Sequence, residues 1–212
     1  RTKNKEMRVW RGGWLFVGHG CEIPRAGDFF TLNIGADSLL VIRGDDGQVR
    51  AFHNVCRHRG TLLCREPSGS VRQLVCPYHQ WVYGKDGKLL SCRGMQDGID
   101  TGALGLSPVS LENLCGFIFV NLAKQPSDFS PARELTEPML RPQGCDRAKV
   151  AKAVSYIVHS NWKLVWENNR ECYHCNRNHP QYIKANYDHY NDDDTSPELM
   201  QKIADKSQRS DA

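Results

Sequence analysis

Two short segments that contain cysteine and histidine constrain this chain of 212 residues more than any other feature. The first has the form C-x-H, with Cys56 and His58, and the second has the form C-x-x-H, with Cys76 and His79. A mixed sulfur and nitrogen set suits either tetrahedral zinc or a [2Fe–2S] centre in which two His replace two Cys on one iron. Zinc fingers and ribbons usually pair like ligands in each half. Here each half supplies one Cys and one His, which favours the [2Fe–2S] centre and leaves structural zinc as the alternative.

Length and composition predict a globular protein that binds neither nucleic acid nor a membrane. The chain is 40% hydrophobic and 25% charged, and it is long enough for one large domain or two small ones. A net charge of +4 is too small to favour an anionic macromolecule or membrane as partner. No apolar run approaches the roughly 20 residues of a transmembrane helix, and we expect no signal peptide.

The cysteines predict a cytoplasmic location. There are nine of them, an odd number at irregular spacing, which does not fit a secreted disulfide framework. Two are assigned to the predicted cluster, and we expect the others to be reduced thiols. These others are Cys21, Cys64, Cys92, Cys115, Cys145, Cys172 and Cys175.

Short apolar runs between turn signals predict a small antiparallel β-sandwich or barrel in the first half. The hairpin signals are the Asx-Gly turns at residues 45–47 and 86–87. We expect the two Cys-His segments to lie on loops at its tip, with Trp81 and Tyr83 packed around them. The predicted strands are 14–17, 29–34, 39–43, 49–53, 74–76, 81–83, 88–91 and 116–121.

The chain then changes character. Four prolines between residues 124 and 142 predict a linker with one short helix at about 132–140. β-branched residues predict a strand at 150–158, and Ser160 or Asn161 can cap a helix from Trp162 to about residue 178. Pro180 should end that helix just before His179. The predicted domains are residues 1–123, a linker at 124–147 and a second domain at 148–212.

A second candidate metal site lies in the predicted helix. His174 and His179 are five residues apart, about 140° around an ideal helix, so binding one metal requires a bulge or an unwound end before Pro180. Two His and one carboxylate form the facial triad of non-haem Fe(II) oxygenases, which leaves positions open for oxygen. That carboxylate is either Glu171 or a residue far along the chain, and Glu171 is also placed to be a hydrogen-bond partner of His174. Taken alone, the pair is equally compatible with two partly buried histidines that bind no metal.

Together the two motifs resemble the Rieske non-haem iron oxygenase α-subunits, the family of the aromatic-ring-hydroxylating dioxygenases. The resemblance covers about residues 10–182 and rests on residues 56–60, 76–83, 161–163 and 167–179. It implies an α+β fold, with an N-terminal all-β Rieske domain followed by the start of a helix-grip catalytic domain, a curved antiparallel sheet with helices that the chain does not complete. It also implies a [2Fe–2S] cluster, a mononuclear non-haem Fe(II) and O2 as cosubstrate.

The resemblance further implies roles for individual residues. Cys56, His58, Cys76 and His79 hold the cluster, whereas His174 and His179 hold the iron. The family's third iron ligand is an Asp far downstream of the second His, and the acidic residues from Asp188 onwards lie too close to His179 to match it. The extra Cys of respiratory Rieske loops is absent here, so we expect a low cluster potential.

The resemblance also implies an assembly. Electrons come from an NAD(P)H-dependent flavin or iron–sulfur reductase. The subunits form a homotrimer, in which His79 of one subunit faces Glu171 of the next. Glu171 is then the bridge between the redox centres.

The acid at position 171 indicates the substrate class. Most family members have Asp there, and Glu171 with its surroundings resembles the branch that includes glycine betaine monooxygenase, carnitine monooxygenase and proline betaine demethylase. We therefore expect hydroxylation of an N-methyl group and demethylation of a small quaternary ammonium substrate. The alternatives are an aromatic-ring-hydroxylating dioxygenase and, from another class, a Rieske electron-transfer protein with an unrelated second domain.

Overall fold

The computed structural model describes residues 10–95, 100–171, 174–182, 197–198, 201 and 204–205. The chain divides into two compact units, Arg1–Ala153 and Val154–Ala212, and each is described by itself. The predicted boundaries at 123/124 and 147/148 stay a prediction. None of the helices in the described ranges is long and apolar enough to cross a membrane.

Two antiparallel sheets build the first unit. Its strands are β1 (Leu15–His19), β2 (Asp28–Ile34), β3 (Asp37–Arg43), β4 (Val49–His53), β5 (Ser68–Ser70), β6 (Leu74–Val75), β7 (Val82–Tyr83), β8 (Leu89–Ser91), β9 (Pro108–Leu114) and β10 (Phe117–Asn121). The larger sheet has seven strands in the order β1-β10-β9-β4-β3-β2-β5, and the smaller has the order β6-β7-β8. The predicted antiparallel architecture is therefore confirmed.

Both predicted hairpin turns are present. Gly44 and Gln48 close the turn between β3 and β4, and Gly84 and Lys88 close the turn between β7 and β8. β5 and β9 were not predicted. β5 is a Ser-Gly-Ser segment without apolar residues, and it exists only because it pairs with the edge of β2.

Apolar side chains fill both faces of the larger sheet. Successive residues of a strand point to opposite faces, so Leu40 and Ile42 of β3 belong to one core cluster and Leu39 and Val41 to the other. All four are fully buried. The first cluster also contains Cys56, Cys76, Trp81 and Tyr83, so the two Cys-His segments are anchored in the same core as the central strand.

Three α-helices of at least four described residues follow the sheets. α1 (Ser130–Leu140) confirms the predicted helix in the proline-rich segment. α2 (Trp162–Arg170) begins where predicted, with the Asn161 side chain accepting a hydrogen bond from the Lys163 N–H at 3.0 Å. α3 (Cys175–Asn178) ends just before His179, as predicted.

Three expectations are wrong. The helix predicted at 162–178 breaks after Arg170, because Glu171 is extended and its carboxylate accepts the His174 N–H, a local side-chain bond that competes with the helix. The strand predicted at 150–158 does not form. It pairs with no described strand, and Ile157 is 90% exposed. Cys175 is disulfide-bonded rather than reduced.

The prediction of reduced thiols holds for the other cysteines that the structure describes. The remaining expected thiols are unbonded where the structure describes them, at Cys21, Cys64, Cys92, Cys115 and Cys145. Cys172 and the acidic residues at 188 and 192–194 lie outside the described residues.

Candidate metal centres

Two loops with the same backbone hydrogen bonds carry the Cys-His segments. In the first loop (56–61) and the second loop (76–81), the cysteine N–H donates to the carbonyl five residues on, at 2.8 Å in both. The cysteine carbonyl accepts the N–H four residues on, at 3.0 Å in both. The fifth position of each loop is left-handed, with φ 72° at Gly60 and 59° at Gln80. Each loop therefore directs one cysteine and one histidine side chain out of an equivalent turn.

The buried side-chain amide of Asn54 hydrogen-bonds across the two ends of the segment that contains the first loop. Asn54 is fully buried, and its Oδ1 accepts the Cys64 N–H at 2.9 Å while its Nδ2 donates to the Cys64 carbonyl at 2.7 Å. A fully satisfied buried amide fixes the two strands of chain that it joins. The ends of the first loop are thereby held together without a disulfide.

Both cysteines lie deep in the core. Cys56 is 2% exposed and Cys76 is 1% exposed. The Tyr83 hydroxyl lies 3.2 Å from Cys56 Sγ, and it accepts the Arg57 N–H at 3.0 Å. Either atom of this pair can donate. Burial raises the pKa of Tyr83, so the phenol keeps its hydrogen and can donate to Sγ when the sulfur is a thiolate.

The two histidines face each other at the open end of the loops. The rings of His58 and His79 are 4.6 Å apart at an interplanar angle of 70°. Trp81 stacks on His58 with ring centroids 4.8 Å apart and planes within 6°. His58 Nδ1 is buried and has no hydrogen-bond partner among the described residues. An orphaned buried ring nitrogen requires a reason, and a ligand bound at this atom supplies one.

Electrostatics favour the neutral form of the His79 imidazole. Partial burial lowers the pKa of His79, and the neighbouring charges of His58 and Arg59 lower it further. Neutral imidazole is the form that binds metals. A cleft of about 500 Å³ opens over the two rings, and Arg59 and Arg93 lie on its rim.

The second site is built from local contacts. The Glu171 carboxylate accepts the His174 N–H through Oε1 at 3.2 Å, and its Oε2 lies 2.9 Å from His174 Nδ1. The rings of His174 and His179 are 5.3 Å apart. His179 lies beyond the last residue of α3 with φ −129°, so the unwound end, not a bulge, brings the two residues together.

The side chains fit the two metal groups. Two buried unbonded thiols and two adjacent imidazoles match a cluster in which each iron takes two protein ligands. At the second site, the bond from Glu171 to Nδ1 leaves Nε2 of His174 for a metal, the arrangement typical of metal-bound histidine. With both carboxylate oxygens on His174, the geometry favours Glu171 as hydrogen-bond partner over Glu171 as ligand. Within the described ranges, no three or more His, Cys, Asp or Glu side chains form a group that could hold a single metal ion.

The interpretation of Tyr83 as a packing residue missed its hydrogen bonds. A buried tyrosine needs a hydrogen-bond partner for its hydroxyl. A Tyr rather than a Phe seven residues after Cys76 could therefore have indicated a hydrogen bond near the cysteines. Asn54 gave no comparable signal, because its role depends on a contact ten residues along the chain.

Two family models match the chain. The model described as Rieske [2Fe-2S] domain matches residues 13–103. The model described as ring hydroxylating alpha subunit (catalytic domain) matches residues 145–210. The two domains imply a [2Fe–2S] cluster, a mononuclear iron and O2 as cosubstrate. The predicted α+β fold class is confirmed, and the alternative with an unrelated second domain is wrong.

Individual proteins agree with these families. The chain is 45% identical to the glycine betaine monooxygenase oxygenase subunit of Chromohalobacter salexigens, over 94% of this chain and 46% of that protein. It superposes with a TM-score of 0.75 on a quaternary ammonium Rieske monooxygenase described for carnitine oxidation and inter-subunit electron transfer, at 28% identity over 85% of this chain and 51% of that one.

The chain also superposes on a naphthalene 1,2-dioxygenase with bound indole, with a TM-score of 0.69 at 30% identity, over 85% of this chain and 43% of that one. The chain thus spans about half the length of the curated relatives it matches. It belongs to the Rieske non-haem iron oxygenase α-subunits, with a Rieske [2Fe–2S] domain followed by part of the ring-hydroxylating catalytic domain.

Proposed function

We propose that this chain is part of the oxygenase component of a monooxygenase that demethylates a small quaternary ammonium compound such as glycine betaine. The observation that carries the proposal is 45% identity, over 94% of the chain, to a glycine betaine monooxygenase oxygenase subunit. A quaternary nitrogen has no lone pair, so the methyl C–H bond is the group to oxidise. One oxygen atom of O2 enters that bond and the other leaves as water, which uses two electrons and two protons. The N-hydroxymethyl product then releases formaldehyde and the tertiary amine.

Cys56, Cys76, His58 and His79 are the proposed cluster ligands. The two thiols would bind one iron and the two imidazoles the other, with His58 bound through the orphaned Nδ1. The cluster supplies one-electron transfer when bound. The protein's own contribution is to bury the sulfurs and to fix His58 between Trp81 and His79.

His174 and His179 are the proposed ligands of the mononuclear iron, with a third ligand outside this chain. Glu171 holds His174 Nδ1 and so fixes which ring nitrogen faces the metal. By the family resemblance, Glu171 is also the proposed bridge from the cluster of a neighbouring subunit.

The proposed assembly is a cytoplasmic homotrimer that receives electrons from a separate NAD(P)H-dependent flavin or iron–sulfur reductase. The similar proteins are named oxygenase subunits, which supports a separate reductase component. The similar carnitine-oxidising enzyme is described as transferring electrons between its subunits, which supports a multimer. The proposed Rieske domain, linker and catalytic part are residues 1–123, 124–147 and 148–212.

The test uses the full-length protein with a reductase and compares glycine betaine, L-carnitine and indole as substrates. We expect formaldehyde in step with O2 consumption, greatest with glycine betaine. The matched variants are His179→Ala, which should abolish formaldehyde, and His159→Ala, an exposed histidine outside both sites, which should not.

The second candidate is an aromatic-ring dioxygenase. The naphthalene 1,2-dioxygenase structure favours it, because its identity of 30% is no lower than the 28% found for the carnitine enzyme. Ring hydroxylation of indole without formaldehyde from any quaternary ammonium substrate would replace our proposal with this one.

A further inference from the structure

Three unbonded thiols lie around a second cavity of the first unit, away from the two Cys-His loops. The cavity measures about 830 Å³, and Cys21 and Cys115 both line it. Cys145 begins a short 3-10 turn that lies against the 3-10 turn containing Cys21. All three thiols are partly exposed, so a small reagent reaches them.

The pairing of β1 with β10 ends next to Cys21 and Cys115. In that pairing, the last residues are His19 and Phe117, which lie opposite each other. Just beyond them, the Gly20 N–H donates to the Gly116 carbonyl at 2.8 Å. Cys21 and Cys115 directly adjoin these two hydrogen-bonded glycines, and both line the same cavity.

Both cysteines occupy turns. Cys115 is in the left-handed region with φ 50°, in the two-residue turn between β9 and β10, and Cys21 is in the 3-10 turn after β1. The chain therefore leaves the sheet at both thiols, and closing a bond between them moves only turn residues. The rest of the sheet keeps its register.

The cavity carries several cationic side chains, among them Arg43, Arg141 and Lys149. A partly exposed thiol among cationic side chains is in the kind of environment in which protein cysteines react with oxidants.

We infer that Cys21 and Cys115 form a redox modification site that takes hydrogen peroxide. Sγ of Cys115 attacks the O–O bond and becomes a sulfenic acid, and the leaving hydroxide takes up the thiol proton as water. Sγ of Cys21 then attacks that sulfur, the S–S bond forms and a second water leaves. Two thiols and one peroxide give one disulfide and two waters. Each sulfur loses one electron and the peroxide gains two.

The experiment treats the full-length protein with a small molar excess of hydrogen peroxide, blocks the remaining thiols with a maleimide and maps tryptic peptides without reduction. Trypsin places the three thiols in separate peptides, 12–25, 94–124 and 134–147. We expect 12–25 to be joined to 94–124, and dithiothreitol to release both. A link to the Cys145 peptide, over-oxidation of Cys115 without a link, or unreacted thiols would each overturn the inference.

Variants sharpen the result. Cys21→Ser and Cys115→Ser should each abolish the cross-link, whereas Cys145→Ser, the matched control, should retain it. The wild-type map decides the question even where a variant fails to fold. The visible spectrum of the cluster, recorded in parallel, separates thiol oxidation from damage to the metal site.

Discussion

The two candidate metal sites of this chain are built in different ways. At the cluster site, residues far apart in sequence converge, with two equivalent loops anchored in one core and both cysteines at most 2% exposed. At the iron site, the contacts of His174 with Glu171 and with His179 link residues three and five positions apart, and the Glu171 side chain is 49% exposed. The comparison teaches that tertiary packing positions the cluster ligands, whereas local side-chain bonds orient His174 at the second site.

The largest expected effect comes from removing one ligand at each site. His174→Ala should eliminate turnover and lower the iron content from about three to about two atoms per chain, with the cluster spectrum unchanged. His58→Ala should also eliminate turnover, but through loss of the cluster spectrum. Iron analysis and visible spectroscopy check both variants. If His174→Ala loses no iron, the second site is not a metal site.

Glu171→Gln tests whether Glu171 orients His174 and passes electrons to the iron or is itself an iron ligand. It keeps the side-chain size and removes the charge on the atom 2.9 Å from His174 Nδ1. We expect both metals to remain and electron delivery to the iron to slow by roughly 10- to 100-fold, the usual effect of losing a partner of a metal ligand. Stopped-flow absorbance of the cluster measures this rate. Glu167→Gln, one helical turn earlier, is the control, and equal rates in both variants would contradict the role of Glu171.

Tyr83→Phe tests the packing around the cluster. With Cys56 bound to the cluster as a thiolate, the Tyr83 hydroxyl would donate to Sγ and would stabilise the more negative, reduced cluster. Loss of one hydrogen bond of about 0.5 to 1.5 kcal/mol should lower the reduction potential by roughly 20 to 60 mV. A spectroscopic redox titration measures it, with Tyr78→Phe, an exposed tyrosine of the second loop, as control. An unchanged potential would mean that Tyr83 only fills space.

The smallest effect concerns the left-handed position that the two loops share but fill with different residues. Gln80 holds φ 59° where Gly60 holds φ 72°. Gln80→Gly should raise the free energy of unfolding by about 0.5 kcal/mol, because the left-handed strain slightly exceeds the flexibility that glycine adds to the unfolded chain. Gly60→Gln should lower it by a similar amount, since nothing lies within 4 Å of a side chain added there. Denaturant unfolding compares the two, and changes of the same sign would refute the equivalence of the loops.

The difference between local and long-range contacts also explains which features the sequence predicts well. Hairpin turns and apolar strands are local patterns, so eight strands and both Asx-Gly turns were found. β5 was missed because pairing, and not composition, makes Ser68–Ser70 a strand. The break at Glu171 was missed because a single carboxylate competes with the helix. Pattern alone gives the residues of a site, but not the side-chain bonds that orient them.

The most direct test of the account is a single turnover without reductase. The full-length protein, reduced anaerobically, is mixed with O2 and glycine betaine, and cluster oxidation and formaldehyde are followed together. The account predicts that both rise in step in the wild type and that Glu171→Gln slows both. Cluster oxidation without formaldehyde, or a full-length protein that holds only the two irons of a cluster, would contradict it.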